Sequence, residues 1–136
     1  FFGAASLIIV DDRCCIVQLA LRSAKFYQHA SCGKCTPCRE GTRWMVQILE
    51  RIEAGDAQIS DIELLESIGS RILGRSLCAL GDFAVYPTHS YITKWRDEFV
   101  AHIEQGCCPF GGESSLEGIV APLDQHTHSP VAEVPA

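Results

Sequence analysis

At 136 residues the chain has room for one domain rather than two full ones. Its 11 basic and 17 acidic side chains leave a net charge of −6, which argues against a nucleic-acid binder, since such proteins present a basic stripe or patch. Hydrophobic residues at 47% and charged residues at 21% describe a globular domain with a real core, not a disordered chain.

The longest uncharged apolar run is residues 1–10. It is about half the ~20 residues that a bilayer span needs, and it has neither leading basic residues nor a cleavage signal, so neither a membrane span nor a secretory signal is expected. The chain opens on Phe rather than Met, which reads as a fragment or a processed chain. Leu7-Ile8-Ile9-Val10 before Asp11-Asp12 predicts a short buried strand ending in a polar turn. A lone strand needs a partner, so residues 1–12 are expected to be the end of a preceding β-rich domain.

From there the period becomes helical. Ile16, Val17, Ala20, Leu21 and Ala24 share one face of a helix predicted over 14–29, with Asp12 as its cap. Thr36 as cap and Pro37 at the first helical position open a second helix, 37–54, whose face carries Met45, Ile48, Leu49 and Ile52. Gly55 suits its end. A third helix, 61–73, is predicted from a capping box at Ser60 and Glu63 with Ile59 and Leu64 as a staple. Its buried stripe is Leu64, Leu65, Ile68 and Ile72, and Gly74 ends it. After an irregular connection over 75–86, Pro87 opens a fourth helix, 88–105, with Ile92, Trp95, Phe99 and Ile103 facing the core. The fold class is therefore mainly α: a four-helix bundle over 13–110. Residues 111–136 hold three prolines, three glycines and two histidines and read as a disordered tail.

Eight cysteines are too few for a disulfide scaffold, and without a secretory signal their clustering points to a metal site. Cys32, Cys35 and Cys38 form C-x2-C-x2-C inside Ser31-Cys32-Gly33-Lys34-Cys35-Thr36-Pro37-Cys38-Arg39-Glu40-Gly41. Three thiolates at this spacing converge only from a loop that runs into a helix, and the helix N-terminus lowers their pKa and favours an anionic site. Structural zinc takes paired knuckles, and the second knuckle is missing. Three close cysteines with one remote cysteine suit a [4Fe–4S] cluster. A ferredoxin run would carry its next cysteine where Thr42 stands, so the fourth ligand comes from Cys14, Cys15, Cys78, Cys107 or Cys108. Cys78 lies in the irregular connection, free to turn toward a ligand. Cys14 and Cys15 read as small core hydrophobes, and Cys107 and Cys108 as packing or surface thiols.

The motif at 31–41, with Leu77-Cys78-Ala79-Leu80-Gly81-Asp82, closely resembles the flavoprotein (51 kDa or F) subunit of NADH:quinone oxidoreductase, respiratory complex I. The resemblance covers roughly residues 3–110 and corresponds to the C-terminal part of that subunit. It implies one [4Fe–4S] cluster held by Cys32, Cys35, Cys38 and Cys78. It implies an electron relay from NADH through FMN to that cluster and on to clusters of a [2Fe–2S] subunit and a large iron–sulfur subunit. FMN and NAD belong to an upstream domain with a glycine-rich phosphate loop; Gly111-Gly112 is not such a loop, so this chain alone is expected not to oxidise NADH. The implied location is peripheral, on the cytoplasmic face of a bacterial inner membrane or the matrix face of a mitochondrial one, without direct membrane insertion.

Lys34, Arg39 and Arg75 neighbour the expected ligands, where cations would raise a cluster's potential; the bland alternative is solvation or pairing with Glu40. The five histidines, His29, His89, His102, His126 and His128, are scattered; His29, just before the motif, reads as a surface histidine rather than a ligand, and His126 and His128 as tail composition. Trp44 and Trp95 are expected in the core or an interface. No catalytic acid–base or nucleophile set stands out. Two other readings compete: the diaphorase subunit of an NAD-linked hydrogenase or formate dehydrogenase, and a zinc-stapled structural or interaction module.

Overall fold

The structure, a computed structural model, describes residues 8–110. Four helices follow one another: α1 (Ile16–Ala30), α2 (Thr36–Ala54), α3 (Ile59–Ile72) and α4 (Leu80–Gln105). Short connections reverse the chain each time, giving an up-down-up-down bundle in which α1 and α3 flank α2 and α4. Among the described residues no strand occurs, and residues 8–10 have no regular secondary structure and are exposed. The rest of the expected opening strand, and the 111–136 tail, lie outside the described residues. No helix of the described part is long and apolar enough to cross a membrane.

The core is the set that 3.6-residue periodicity selects. Val17, Ala20, Leu49, Ile52, Leu65, Ile92 and Phe99 are fully buried. Burying a side chain of the Leu or Phe class contributes about 1.5–3 kcal/mol, so this stripe carries the fold. Small residues let the helices close on it. A Cβ at Gly41 would stand 2.5 Å from Ile72 Cδ1, and one at Gly69 would collide with His89 and Val85. Each glycine is therefore a point where side chains of a neighbouring helix pack onto bare helix backbone.

Several helix starts differ from expectation. The cap of α1 is Cys15, whose thiol accepts from the Gln18 amide at 3.3 Å. Asp11 and Arg13 pair with each other in a turn ahead of it, which moves the start past Asp12. In α2 the cap is Cys35, with Thr36 and Pro37 inside the first turn. In α3 the cap is Gln58, and Asp61 rather than Glu63 closes the box by accepting from the Gln58 amide at 2.9 Å. Arg51 reaches the same carboxylate at 2.7 Å, so Asp61 serves two partners and outcompetes the Ser60 register. Ile59 and Leu64 consequently face solvent, and Ala57 and Ile62 take the positions of the staple.

The largest difference is α4. It begins at Leu80 and runs through Pro87, so the irregular connection shrinks to 73–79. Gly81, Ala84 and Val85 are buried, and that packing holds a helix that a proline alone would end. The helical dihedrals break at Trp95 instead (φ −131°, ψ 37°), which turns its ring outward to 41% exposure. Trp44 is likewise half-exposed rather than in the core.

Candidate functional site

One end of the bundle gathers the α1–α2 loop, the start of α2 and the 73–79 connection. The α1–α2 loop is folded back on the helix it precedes. Gly33 takes a left-handed φ of +76°, which a side chain would strain. Its amide reaches Ser31 Oγ at 3.4 Å, and its carbonyl accepts from Arg39 Nη1 at 2.6 Å. Ser31 Oγ also lies 3.4 Å from Cys38 Sγ. The loop therefore passes across the first turn of α2, and the three motif cysteines flank a helix N-terminus with its orphan amides. Thr42 is buried and donates back to the Cys38 carbonyl at 2.8 Å, so it contributes helix packing and no ligand.

The segment that carries the remote cysteine is joined to the motif through Leu77. The Leu77 amide donates to Cys35 Sγ at 3.3 Å, fastening the 73–79 connection to the motif. That connection is shaped by Gly74 (φ +66°), whose amide donates to Asp82 at 2.8 Å. Cys38 is buried, Cys35 half-buried, and Cys32 and Cys78 are exposed. Arg39 is paired with Glu40 at 2.9 Å while it clasps the loop. Lys34 and Arg75 are exposed. The donor chemistry fits an iron–sulfur cluster: soft sulfur atoms, a helix N-terminus, and a backbone N–H already directed at a sulfur.

The opposite end holds a group that sequence reasoning passed over. His102, one of the scattered histidines to which the sequence assigns no role, is fully buried. It sits with Cys15, Glu53 and Cys108, whose ligand atoms all lie within 4.8 Å of one another. Cys14 and Cys15 are buried as expected, Cys107 is exposed, and Cys108 packs half-buried against the core. Burial pushes the Cys15 thiol well above its ordinary value and raises the Glu53 carboxyl, because both anions lose water there. The available sequence signal was the six-residue step from His102 to Cys108, which has no motif to flag it.

Comparison with known proteins places the chain. The family described as NADH-ubiquinone oxidoreductase-F iron-sulfur binding region matches residues 18–102. The chain is 49% identical over 108 residues to an NADH-quinone oxidoreductase F subunit of Rhizobium meliloti, covering 79% of this chain and 26% of that protein. It is 37% identical over 116 residues to the mitochondrial NADH-ubiquinone oxidoreductase 51 kDa subunit of Neurospora crassa, covering 85% of this chain and 24% of that one. It thus spans about a quarter of the curated relatives it matches. Among solved structures, that of an NAD+-reducing [NiFe]-hydrogenase in the H2-reduced state is similar, with a TM-score of 0.63 and 33% identity over 74% of this chain and 16% of that one.

Proposed function

The chain belongs to the iron–sulfur binding region of NADH-ubiquinone oxidoreductase F, and on that premise we propose that Cys32, Cys35, Cys38 and Cys78 hold one [4Fe–4S] cluster as an electron relay. The observation that carries the ligand set is the Leu77 amide on Cys35 Sγ, because it fastens the residue before Cys78 to the motif. A cluster held by these thiolates takes up and releases one electron at a time. The protein's part is to position it. Arg39 and Ser31 hold the loop, the start of α2 supplies positive potential, and exposed Cys32 and Cys78 keep the site at the surface, where donor and acceptor can approach.

In this reading electrons come from NADH through FMN in a domain upstream of this segment. They leave for a [2Fe–2S] subunit and a large iron–sulfur subunit, on the cytoplasmic or matrix face of the membrane. The likeness to an NAD+-reducing hydrogenase supports a second setting, the diaphorase subunit of such an enzyme, in which the relay is the same and only the partners differ.

The chain, reconstituted anaerobically with iron and sulfide, is expected to be brown, to bleach with dithionite and to recover with an artificial electron acceptor. NADH alone should leave its absorbance unchanged. Rapid bleaching by NADH without flavin would put a hydride site in these residues. A colourless protein with zinc on the four cysteines would remove the relay.

A further inference from the structure

The end of the bundle away from the motif brings together one group from each of four segments. Cys15 caps α1, Glu53 lies in the last turn of α2, His102 lies in the last turn of α4, and Cys108 follows α4. Glu53 stands 18 positions after Cys35 (53 − 35) along α2, so the group lies about 27 Å from the motif at 1.5 Å per residue. It cannot share ligands with the proposed cluster.

The backbone is built to keep this group together. Gly55 and Gly106 end α2 and α4 in left-handed conformations, with φ of +77° and +66°. They lie so close that a Cβ on Gly55 would collide with the Gly106 carbonyl, and this approach delivers Cys107-Cys108 to the end of α2. The Glu98 carboxylate accepts from the Ile16 amide at 2.6 Å and so fixes the start of α1, next to Cys15, against α4. The Glu98 carbonyl lies 2.8 Å from His102 Nδ1. A carbonyl only accepts, so Nδ1 carries a proton, and Nε2 is the nitrogen that faces the group.

The distances match a known shape. Zn–S bonds of about 2.3 Å and Zn–N or Zn–O bonds of about 2.0–2.1 Å, at tetrahedral angles, hold neighbouring donor atoms about 3.3–3.8 Å apart. Here Cys15 Sγ lies 3.3 Å from His102 Nε2 and 3.7 Å from Glu53 Oε2, and His102 Nε2 lies 3.5 Å from Glu53 Oε2. The fourth donor, Cys108 Sγ, lies within 4.8 Å of the other three. Hydrogen bonding alone accounts for a buried His–Glu pair. Cys15 also hydrogen-bonds to both members of that pair, and beyond those contacts a second thiol, Cys108 Sγ, lies within 4.8 Å of the same imidazole nitrogen. Thiolate and imidazole donors in a tetrahedral set select zinc.

The geometry points to a second metal site, a mononuclear Zn2+ bound by Cys15, Glu53, His102 and Cys108, which staples the far end of the bundle. All four positions are protein donors, so the site is closed and structural rather than catalytic. It ties the segment after α4 to α1 and α2, and it stands independently of the cluster.

The test uses the full chain carrying its reconstituted cluster, purified anaerobically under reductant, with Zn2+ supplied and the excess removed. Zinc, iron and sulfide are counted on the same sample. One zinc per chain is expected, with an X-ray absorption spectrum of two sulfur and two nitrogen or oxygen neighbours. Cys108→Ser should lose that zinc and keep its iron, whereas Cys35→Ser should lose iron and keep zinc. The melting temperature should rise with Zn2+ in the unsubstituted chain and not in Cys108→Ser. Cys108 is only half-buried, which makes it the mildest ligand to replace; the absorption spectrum of the unsubstituted chain decides the matter even if that variant fails to fold. Absence of zinc, zinc surrounded by four sulfurs, or a Cys15–Cys108 disulfide in the reduced preparation would each overturn the site.

Discussion

The two ends of this bundle hold cysteines in different ways. At the motif end, three of the four proposed ligands lie within seven consecutive residues, and a loop and one helix turn shape them. At the far end, the four groups come from residues 15, 53, 102 and 108, and only the closed bundle brings them together. The first set is exposed or half-exposed apart from Cys38, as the proposed relay requires. The second is centred on two fully buried groups, Cys15 and His102. Local chain geometry builds the first, and tertiary packing builds the second. Substitutions should therefore affect the two ends independently.

The largest effect is expected at the motif end. Cys35→Ser and Cys78→Ser should each remove most of the bound iron and sulfide, with the helical circular dichroism retained, because no core side chain is touched. Cys107→Ser, at an exposed thiol, should change neither. Iron and sulfide are both to be counted, since a three-iron form would retain part of the iron. Full retention in Cys78→Ser would move the fourth ligand elsewhere and break the link drawn from Leu77 to the motif.

At the far end the sharpest change is Gly55→Ala. It forces a side chain into a left-handed position and into the Gly106 backbone. Both effects oppose the native state, so a loss of at least about 2 kcal/mol is expected in urea unfolding. Iron content under native conditions should remain unchanged. A fall in iron equal to that of Cys35→Ser would show that the two ends are coupled.

The same division explains what the sequence disclosed. Periodicity found all four helices and nearly every core residue, because burial follows the 3.6-residue repeat. The motif end offered itself as a candidate site because three of its cysteines stand within seven consecutive residues. The start of α4 was not legible, since Pro87 is a strong local stop and only the tertiary burial of Gly81, Ala84 and Val85 overrides it. His102 was passed over for a related reason: a single histidine on a helix reveals its burial only once Cys15 and Glu53 stand opposite it. The Cys15 thiol as a helix cap, and the Gln58 register of α3, depend on competition between neighbouring side chains that local rules rank almost equally.

That competition leads to the smallest effect, and it can be measured between adjacent residues. Ser60 and Asp61 both lie where a helix-starting box is expected. In the fold Asp61 holds the role, accepting from the Gln58 amide at 2.9 Å and from Arg51 at 2.7 Å, with its side chain only 13% exposed. Ser60 is exposed and lies one residue inside the helix. Asp61→Ala should therefore lose about 1 kcal/mol by removing the capping acceptor. The Arg51 pair adds little to that, since Arg51 is half-exposed and its charge is screened by solvent. Ser60→Ala should change stability by less than about 0.5 kcal/mol, and alanine's higher helix propensity could make the change favourable. Urea midpoints of the two variants, compared at equal slope, read the difference directly. A cost at Ser60 that equals or exceeds the cost at Asp61 would restore the Ser60–Glu63 box and shift the start of α3 by two residues. It would also release Asp61 from the far end of α2, where it now ties the first turn of α3 to the turn that carries Glu53.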